Sequence, residues 1–197
     1  LLELEHQAQS NHVPIIKRET QGLLLFLIRT QKPKKILEVG TAVGFSALFM
    51  SKYSHPQCKI TTIERGEIYL AEARKNLADN KYPYRDKIKL IEDDAIYVLK
   101  NLADEKFLYD FIFLDAAKGQ YINFLPNIIK ILDKGGVLVT DNVLQDGTVV
   151  NSRYAIKRRD RTVHSRMREY LYAITHMDEL ESIILPVGDG VSISYRR

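Results

Sequence analysis

The chain has a single cysteine, Cys58, and lacks the features of secreted or membrane-spanning proteins. One cysteine cannot form an internal disulfide, so we expect a reducing compartment, the cytoplasm. The longest apolar run, Leu23–Ile28, has six residues, whereas a helix that crosses a bilayer needs about 20. No charged stretch followed by an apolar one opens the chain, so the sequence predicts no secretion signal.

Glycine and proline are also sparse, with 10 and 6 among 197 residues. This composition excludes collagenous, repeat-built and disordered chains. The length suits one compact domain, residues 1–197. The chain opens on Leu1 rather than Met, so we expect an N-terminal piece to precede it.

Positive charge is concentrated in Arg153–Arg168, which we call the basic segment. It carries +6 while the whole chain carries +4, so the remainder carries −2. A basic run alone is commonly a solvated helix face. The alternative is a surface that faces phosphates. The basic residues of the segment are Arg153, Lys157, Arg158, Arg159, Arg161, Arg166 and Arg168.

Apolar periodicity predicts alternating strands and helices over most of the chain. The strands lack strict polar–apolar alternation, which is typical of parallel strands buried on both faces. The pattern predicts an α/β fold with a doubly wound, Rossmann-like, mostly parallel sheet. The predicted strands are Lys35–Val39, Lys59–Glu64, Lys87–Glu92, Tyr109–Asp115 and Val137–Asp141. The predicted helices are Pro14–Thr30, Phe45–Tyr53, Ile68–Asn80, Ala95–Ala103 and Tyr121–Leu132.

The last third of the chain has a different pattern. Two apolar strands, Glu181–Leu185 and Val191–Tyr195, flank Gly188-Asp189-Gly190 and predict an antiparallel hairpin. We expect this hairpin to close the sheet in the strand order 3-2-1-4-5-7-6. A helix is predicted before it from the apolar residues Val163, Met167, Leu171 and Ile174.

The first three predicted strands each end in residues suited to a nucleoside-shaped ligand, and ligands of such sheets bind at carboxyl strand ends. After the first strand, Gly40 and Gly44 allow close backbone approach before a helix whose N–H groups can accept an anion. Glu64 ends the second strand and could accept ribose hydroxyls. Asp94 and the adjacent Ala95 N–H could bind an adenine.

Oxygen donors follow the fourth and fifth strands. If these strands are neighbours, Asp115, Asp141 and Asn142 converge as three oxygen ligands suited to Mg²⁺. Lys118 follows one turn later and is a candidate base. Each residue alone is better explained as a helix cap, a turn or a surface lysine, but the four together at matching strand ends are not.

Three motifs carry a family resemblance, namely Glu38–Ser46 (EVGTAVGFS), Asp115–Lys118 (DAAK) and Asp141-Asn142. They resemble the cation-dependent O-methyltransferases that include the catechol and caffeoyl-CoA enzymes. Within that family, Asp115–Tyr121, Thr140–Leu144 and the basic segment look most like the bacterial tRNA 5-hydroxyuridine methyltransferase branch. The resemblance extends from Val13 to Gly190.

The resemblance implies roles for individual residues. It implies a homodimer, Mg²⁺ bound by Asp115, Asp141 and Asn142, and catalytic roles for Lys118 and Asp115. The family usually has another helix before Val13, and the short N-terminus departs from that pattern. The residues implied to hold S-adenosylmethionine are Ile16, Glu38, Gly40, Ser46, Glu64, Asp94, Ala95 and Asp115.

The resemblance also implies the substrate, the 5-hydroxyl of a wobble uridine in the tRNA anticodon loop. Its 5-hydroxyl and 4-oxo group form a vicinal oxygen pair like that of a catechol, so the metal ligands suit either substrate. The basic segment favours tRNA, since a catechol offers no phosphates. Tyr121 and Tyr154 are candidates to stack on the base, although core packing explains each at least as well. The residues expected to contact RNA are Arg153, Lys157, Arg158, Arg159 and Arg161.

Three other functions are alternatives to tRNA methylation. The first is a small-molecule O-methyltransferase that acts on catechols or related phenols. The second is a non-catalytic RNA- or nucleotide-binding module, which the joint presence of the metal ligands and Lys118 disfavours. A nicotinamide dehydrogenase is disfavoured because the glycine spacing is not G-x-G-x-x-G and no Tyr-x-x-x-Lys motif occurs.

Overall fold

The structure is a computed structural model that describes residues 1–145 and 147–197, apart from the Arg153 side chain. The chain divides into two compact units, Leu1–Val98 and Leu99–Arg197. None of the helices in these described residues is long and apolar enough to span a lipid bilayer.

The first unit contains four helices and three parallel strands, and a fifth helix crosses into the second unit. Strand β2 pairs with β1 on one side and with β3 on the other. The core is aliphatic and includes Leu24, Ile28, Ile36, Leu48 and Ile60, all essentially inaccessible to solvent. The elements are α1 (Leu2–Ser10), α2 (Arg18–Gln31), β1 (Lys35–Val39), α3 (Phe45–Tyr53), β2 (Lys59–Glu64), α4 (Glu67–Ala78), β3 (Ile88–Glu92) and α5 (Ala95–Asp104).

The second unit combines one parallel and two antiparallel strand pairs. Strand β5 runs parallel to β4 and antiparallel to β7, and β6 pairs antiparallel with β7. Its core is more aromatic, with Phe111, Phe113, Tyr121 and Tyr170 fully buried. The elements are β4 (Tyr109–Leu114), α6 (Tyr121–Ile131), β5 (Leu132–Thr140), α7 (Arg161–His176), β6 (Leu180–Leu185) and β7 (Val191–Arg196).

The predicted fold class is confirmed, with the strand order β3-β2-β1-β4-β5-β7-β6. One expectation about the N-terminal region was wrong. The helix predicted from Pro14 begins only at Arg18, because Lys17 is extended and serves as its N-cap. A helix that the apolar pattern did not predict, α1, occupies Leu2–Ser10 and buries Leu4 and Ala8.

The turn between β6 and β7 holds the segment that follows β5. The amide N–H groups of Val143 and Leu144 donate to the carbonyl oxygens of Gly190 (2.9 Å) and Asp189 (3.0 Å). Gly190 has a φ of +86°, and a Cβ atom there would overlap the Leu144 side chain. Only glycine fits this position without displacing the segment it holds.

We expect Gly190→Ala to lower the free energy of unfolding by about 2–4 kcal/mol, from overpacking against Leu144 and the left-handed backbone. Urea unfolding monitored by circular dichroism measures this change. Gly22→Ala is the control, because Gly22 lies in α2 with nothing near its missing Cβ, and it should stabilise the protein by roughly 0.5–1 kcal/mol. Equal stability of the Gly190→Ala variant and the wild type would contradict the expected clash.

Candidate active site

In the first unit, the turn after β1 is shaped by three left-handed residues. Gly40, Ala42 and Gly44 have φ values of +104°, +44° and +85°. The turn is tied to β2, because the Gly40 and Thr41 amides donate to the carbonyl oxygen of Ile63 at 3.0 and 3.2 Å. Gly44 is the N-cap of α3, so this turn leads into a helix N-terminus, where free N–H groups favour an anion.

Glu64 ends β2 and is fixed by backbone donors. Its Oε2 accepts the Ala42 N–H at 2.9 Å, and its Oε1 accepts the N–H groups of Arg65 (2.9 Å) and Gly66 (2.7 Å). A carboxylate has about four lone-pair sites, so Glu64 can still accept a ligand hydroxyl. The prediction that Glu64 binds ribose therefore fits the geometry of this side chain.

Three other residues expected to hold the cofactor are buried in the first unit. Glu38 is fully buried, and its Oε2 accepts the Thr62 hydroxyl at 2.5 Å. Ser46, on the first turn of α3, and Ile16 are also buried. The Ile16 carbonyl accepts a hydrogen bond from the Gln21 side chain at 3.1 Å. Glu38 thus lies in a buried hydrogen-bond network, and its contact with a cofactor stays a prediction.

Asp94 and Ala95 lie where β3 leads into α5. Asp94 Oδ1 accepts the Ile96 N–H at 2.9 Å, and Oδ2 forms an ion pair with Arg65 at 2.6 Å. Ala95 is the first residue of α5, and the first N–H groups of a helix have no partner within it. Arg65 was missed by sequence reasoning, which treated Asp94 as free to bind a ligand.

The residues of the first unit fit the nucleoside half of S-adenosylmethionine. A fixed carboxylate with spare acceptor capacity, a glycine turn and two helix N-termini supply acceptors for hydroxyls and donors for ring nitrogens. This fit rests on the chemistry of the donors and acceptors, and the binding roles of these residues remain predictions.

In the second unit, Asp115 and Asp141 leave neighbouring parallel strands at the same level. Leu114 of β4 is in register with Thr140 of β5, and the Asp141 amide donates to the Leu114 carbonyl at 3.0 Å. Burial, and next the charge of Asp141, raise the pKa of Asp115 to about 7, while Lys118 acts in the opposite direction. The predicted convergence of the two carboxylates is therefore present.

Asn142 is oriented by Asp189, which the sequence pattern placed only in the turn of the C-terminal hairpin. Its Nδ2 donates to Asp189 Oδ2 at 3.3 Å, and its backbone is left-handed with φ +58°. With the NH₂ group held, the amide oxygen stays available as an acceptor. No three His, Cys, Asp or Glu side chains within residues 1–145 and 147–197 form a metal cluster. The predicted third donor beside the two carboxylates is the Asn142 amide oxygen. Two carboxylates and an amide oxygen are a donor set that fits Mg²⁺.

Lys118 opens a 3₁₀ turn, Lys118–Gln120, just before α6. The stacking role considered for Tyr121 is wrong, because this side chain is fully buried. Its hydroxyl donates to the Asp141 carbonyl at 3.3 Å, and its ring meets Tyr170 edge-on with centroids 5.6 Å apart. Tyr121 is therefore a core residue that supports the backbone of a predicted metal ligand.

The basic segment divides into two groups. Lys157, Arg158 and Arg159 are exposed, and we call them the outward trio. Arg159 pairs with Asp160 at 3.5 Å, a contact of little energetic weight at this exposure. The side chain of Arg153 lies outside the described part of the structure. The inward arginines each donate to a backbone carbonyl, Arg161 to Ile156 (3.0 Å), Arg166 to Gly119 (3.1 Å) and Arg168 to Val149 (3.0 Å).

Tyr154 precedes the outward trio by three positions in the sequence and is 88% exposed. It is therefore not a core residue, and its ring is open to stack on a ligand. Arg161 differs from the trio, because its guanidinium already binds a carbonyl. The sequence gives no reason to distinguish among the five predicted RNA contacts. The structure does, because Arg161 binds a backbone carbonyl whereas Lys157, Arg158 and Arg159 are exposed.

The raised pKa of Asp115 predicts a stability change with pH. Between pH 4 and pH 7 the folded chain holds a proton that the unfolded chain loses, so its stability falls as pH rises through that window. Without divalent cations, we expect the wild type to lose about 2–3 kcal/mol more than Asp115→Asn between pH 5 and pH 8. Urea unfolding in chelator measures this difference. The exposed Asp133→Asn is the control, and parallel pH profiles of the wild type and Asp115→Asn would contradict the expectation.

Comparisons with known proteins identify the family. Residues 1–197 match the family model described as O-methyltransferase. The chain is 32% identical to the caffeoyl-CoA O-methyltransferase of Stellaria longipes over 184 residues, which cover 88% of this chain and 73% of that protein. The Medicago sativa enzyme of the same name is 31% identical, with coverage of 88% and 71%.

Two solved structures share the fold. A candidate caffeoyl-CoA O-methyltransferase from Staphylococcus aureus is 34% identical, with a TM-score of 0.89 and coverage of 98% of this chain and 90% of that one. The Bacillus cereus O-methyltransferase in complex with SAH is 23% identical, with a TM-score of 0.85 and coverage of 99% and 89%. The expected similarity to the tRNA-modifying branch stays a prediction. The family match over the whole length establishes that this chain belongs to the O-methyltransferase family of the caffeoyl-CoA type.

Proposed function

We propose that the chain transfers a methyl group from S-adenosylmethionine to one hydroxyl of a small phenolic substrate with two neighbouring oxygens, in a reaction that needs a divalent cation. The observation that carries this proposal is the donor set of Asp115, Asp141 and Asn142 in a chain of the O-methyltransferase family. The names of its relatives support a catechol-type acyl thioester, of which caffeoyl-CoA is the example.

The residues have separate tasks in this reaction. The turn after β1, Glu64 and the start of α5 bind the methyl donor, which supplies an electrophilic methyl group. The two acids and Asn142 would hold Mg²⁺, whose charge would stabilise negative charge on the substrate oxygens. Lys118 lies close enough to Asp115 for its ammonium charge to act on that carboxyl. Once it has given up its own proton, the neutral Lys118 Nζ would take the hydroxyl proton. Correct placement of oxygen and methyl group supplies much of the rate.

The outward trio selects for substrates that carry phosphates. Lys157, Arg158 and Arg159 are exposed and are not held by the carbonyl contacts that fix the inward arginines. A free catechol has no phosphates for them to bind, whereas coenzyme A carries a diphosphate and a further phosphate. The trio therefore favours an acyl-CoA substrate over the free phenol.

Methyl transfer from labelled S-adenosylmethionine to caffeoyl-CoA tests the reaction. We expect turnover with Mg²⁺ and none with chelator, because two carboxylates and an amide cannot neutralise the substrate oxyanion by themselves. Asp141→Asn should lower kcat at least about a hundredfold through loss of a cation ligand. The exposed Asp104→Asn should match the wild type. Equal turnover with and without chelator would refute the cation dependence.

A second candidate substrate is the 5-hydroxyuridine of a tRNA anticodon loop. The exposed Tyr154 ring, close in the sequence to the exposed outward trio, favours it, since single-stranded RNA is bound by stacked bases and phosphate contacts. The Asp115, Asp141 and Asn142 donor set does not discriminate, because the 5-hydroxyl and 4-oxo group also form a vicinal oxygen pair.

Replacement of the outward trio by alanine, with Tyr154→Ala as a separate variant, distinguishes the two substrates. We expect the triple variant to raise KM for caffeoyl-CoA about tenfold or more, without changing turnover of free caffeic acid, since only the thioester carries phosphates. Lys130→Ala/Lys134→Ala removes exposed charge elsewhere in the second unit and serves as the control. The alternative outcome is that the wild type methylates 5-hydroxyuridine tRNA but not caffeoyl-CoA, and that both the triple variant and Tyr154→Ala methylate this tRNA more slowly. That outcome would assign tRNA as the substrate.

A further inference from the structure

Helix α7 holds two segments of the second unit through its inward arginines. Arg161 and Arg168 bind carbonyl oxygens at Ile156 and Val149, between β5 and α7. Arg166 binds the carbonyl oxygen of Gly119 at 3.1 Å. These contacts use charged donors on backbone acceptors, which are about twice as strong as neutral hydrogen bonds.

The carbonyl that Arg166 binds belongs to the residue after Lys118. The 3₁₀ turn Lys118–Gln120 is three residues long with glycine at its centre, and both properties make an isolated turn conformationally weak. Its other hydrogen bonds are local, from the Gln120 amide to the Ala117 carbonyl (2.8 Å) and from Asn123 to the Gln120 side chain (2.8 Å). Asn123 belongs to α6, which follows the turn directly, so neither bond fixes the turn to an element distant in the sequence.

Arg166 supplies that connection from a partly buried position. A Cβ atom added at Gly119 would lie 3.6 Å from Val163 and 4.0 Å from Arg166, both on α7. The turn thus lies against α7, and α7 is itself anchored in the core by buried Met167, Tyr170 and Ile174. The position of the Lys118 backbone is therefore set by a helix that otherwise has no part in the proposed chemistry.

We propose that Arg166 is a positioning residue, whose bond to the Gly119 carbonyl holds the Lys118 turn in the geometry that proton removal requires. This inference rests on the proposed function, in which Lys118 takes the hydroxyl proton. Arg166 itself touches neither substrate nor methyl donor. Its effect passes through the backbone of the turn, so it should alter the rate of reaction and not the affinity for S-adenosylmethionine.

Arg166→Gln tests the proposal by two independent readouts. Amide hydrogen exchange of the segment 117–121 should accelerate about tenfold, because the turn loses the hydrogen bond that ties it to α7. With caffeoyl-CoA, or with 5-hydroxyuridine tRNA if that is the substrate, kcat should fall about 10–100-fold, while KM for S-adenosylmethionine changes less than twofold. Arg166→Lys, which keeps the charge and one donor, should recover most of the lost rate and guards against a folding defect. Arg197→Gln is the matched control, since Arg197 also donates to a backbone carbonyl, that of Asp178.

A double-mutant cycle separates positioning from a general structural role. On a Lys118→Ala background, Arg166→Gln should change kcat less than twofold, because the group it positions is gone. The proposal would be overturned if the kcat losses of Arg166→Gln and Lys118→Ala multiplied in the double variant. It would also be overturned if Arg166→Gln left the exchange rate at 117–121 or the kcat of the enzyme unchanged. A wild-type chain inactive towards every substrate above would instead overturn the proposed function, and the exchange rate would still show whether Arg166 orders the turn.

Discussion

The proximity of Asp115 and Asp141 is the constraint on which the second unit depends. Two parallel strands in register deliver both carboxyl groups to one level, and burial together with their mutual charge raises the pKa of Asp115. Two buried acids so close together destabilise the fold when no cation is bound, so neighbouring groups must fix the strand ends that carry them. The Tyr121 hydroxyl donates to the Asp141 carbonyl, and the Thr140 Oγ1 lies 2.5 Å from the Tyr170 hydroxyl. A divalent cation would remove the repulsion, which is why the strain is consistent with a metal site.

Helix α7 supplies the remaining order around this pair of acids. Its apolar face packs in the core through Met167, Tyr170 and Ile174, while its arginines bind three backbone carbonyls outside the helix. A basic residue that the sequence pattern assigns to ligand binding, such as Arg161, can thus serve to hold a loop in place.

Sequence reasoning could predict the features that follow from periodicity and from strand ends. The buried strands and the convergence of Asp115 with Asp141 follow from apolar runs and their termini, whereas the strand order comes with the fold class to which those runs point. It could not predict α1, whose weakly amphipathic sequence gives little signal. It also could not separate Arg166 from Arg158, since both are basic and only tertiary packing brings a carbonyl to one of them. For the same reason it could not choose between stacking and core packing for Tyr121, whose ring contacts Tyr170, 49 positions later.

The division of the basic segment also bears on substrate choice. A cation held by the two acids and Asn142 would bind the vicinal oxygens of a catechol and of a 5-hydroxyuridine in the same way. Selectivity between these substrates must therefore come from groups remote from the reacting oxygen. The outward trio can bind phosphates only if the backbone that carries it is fixed, and Arg161 ties the start of α7 to Ile156 within that stretch. Binding energy from a remote phosphate can then be used to position the reacting hydroxyl. A phosphate-bearing substrate should therefore gain in kcat as well as in affinity, which a free phenol cannot.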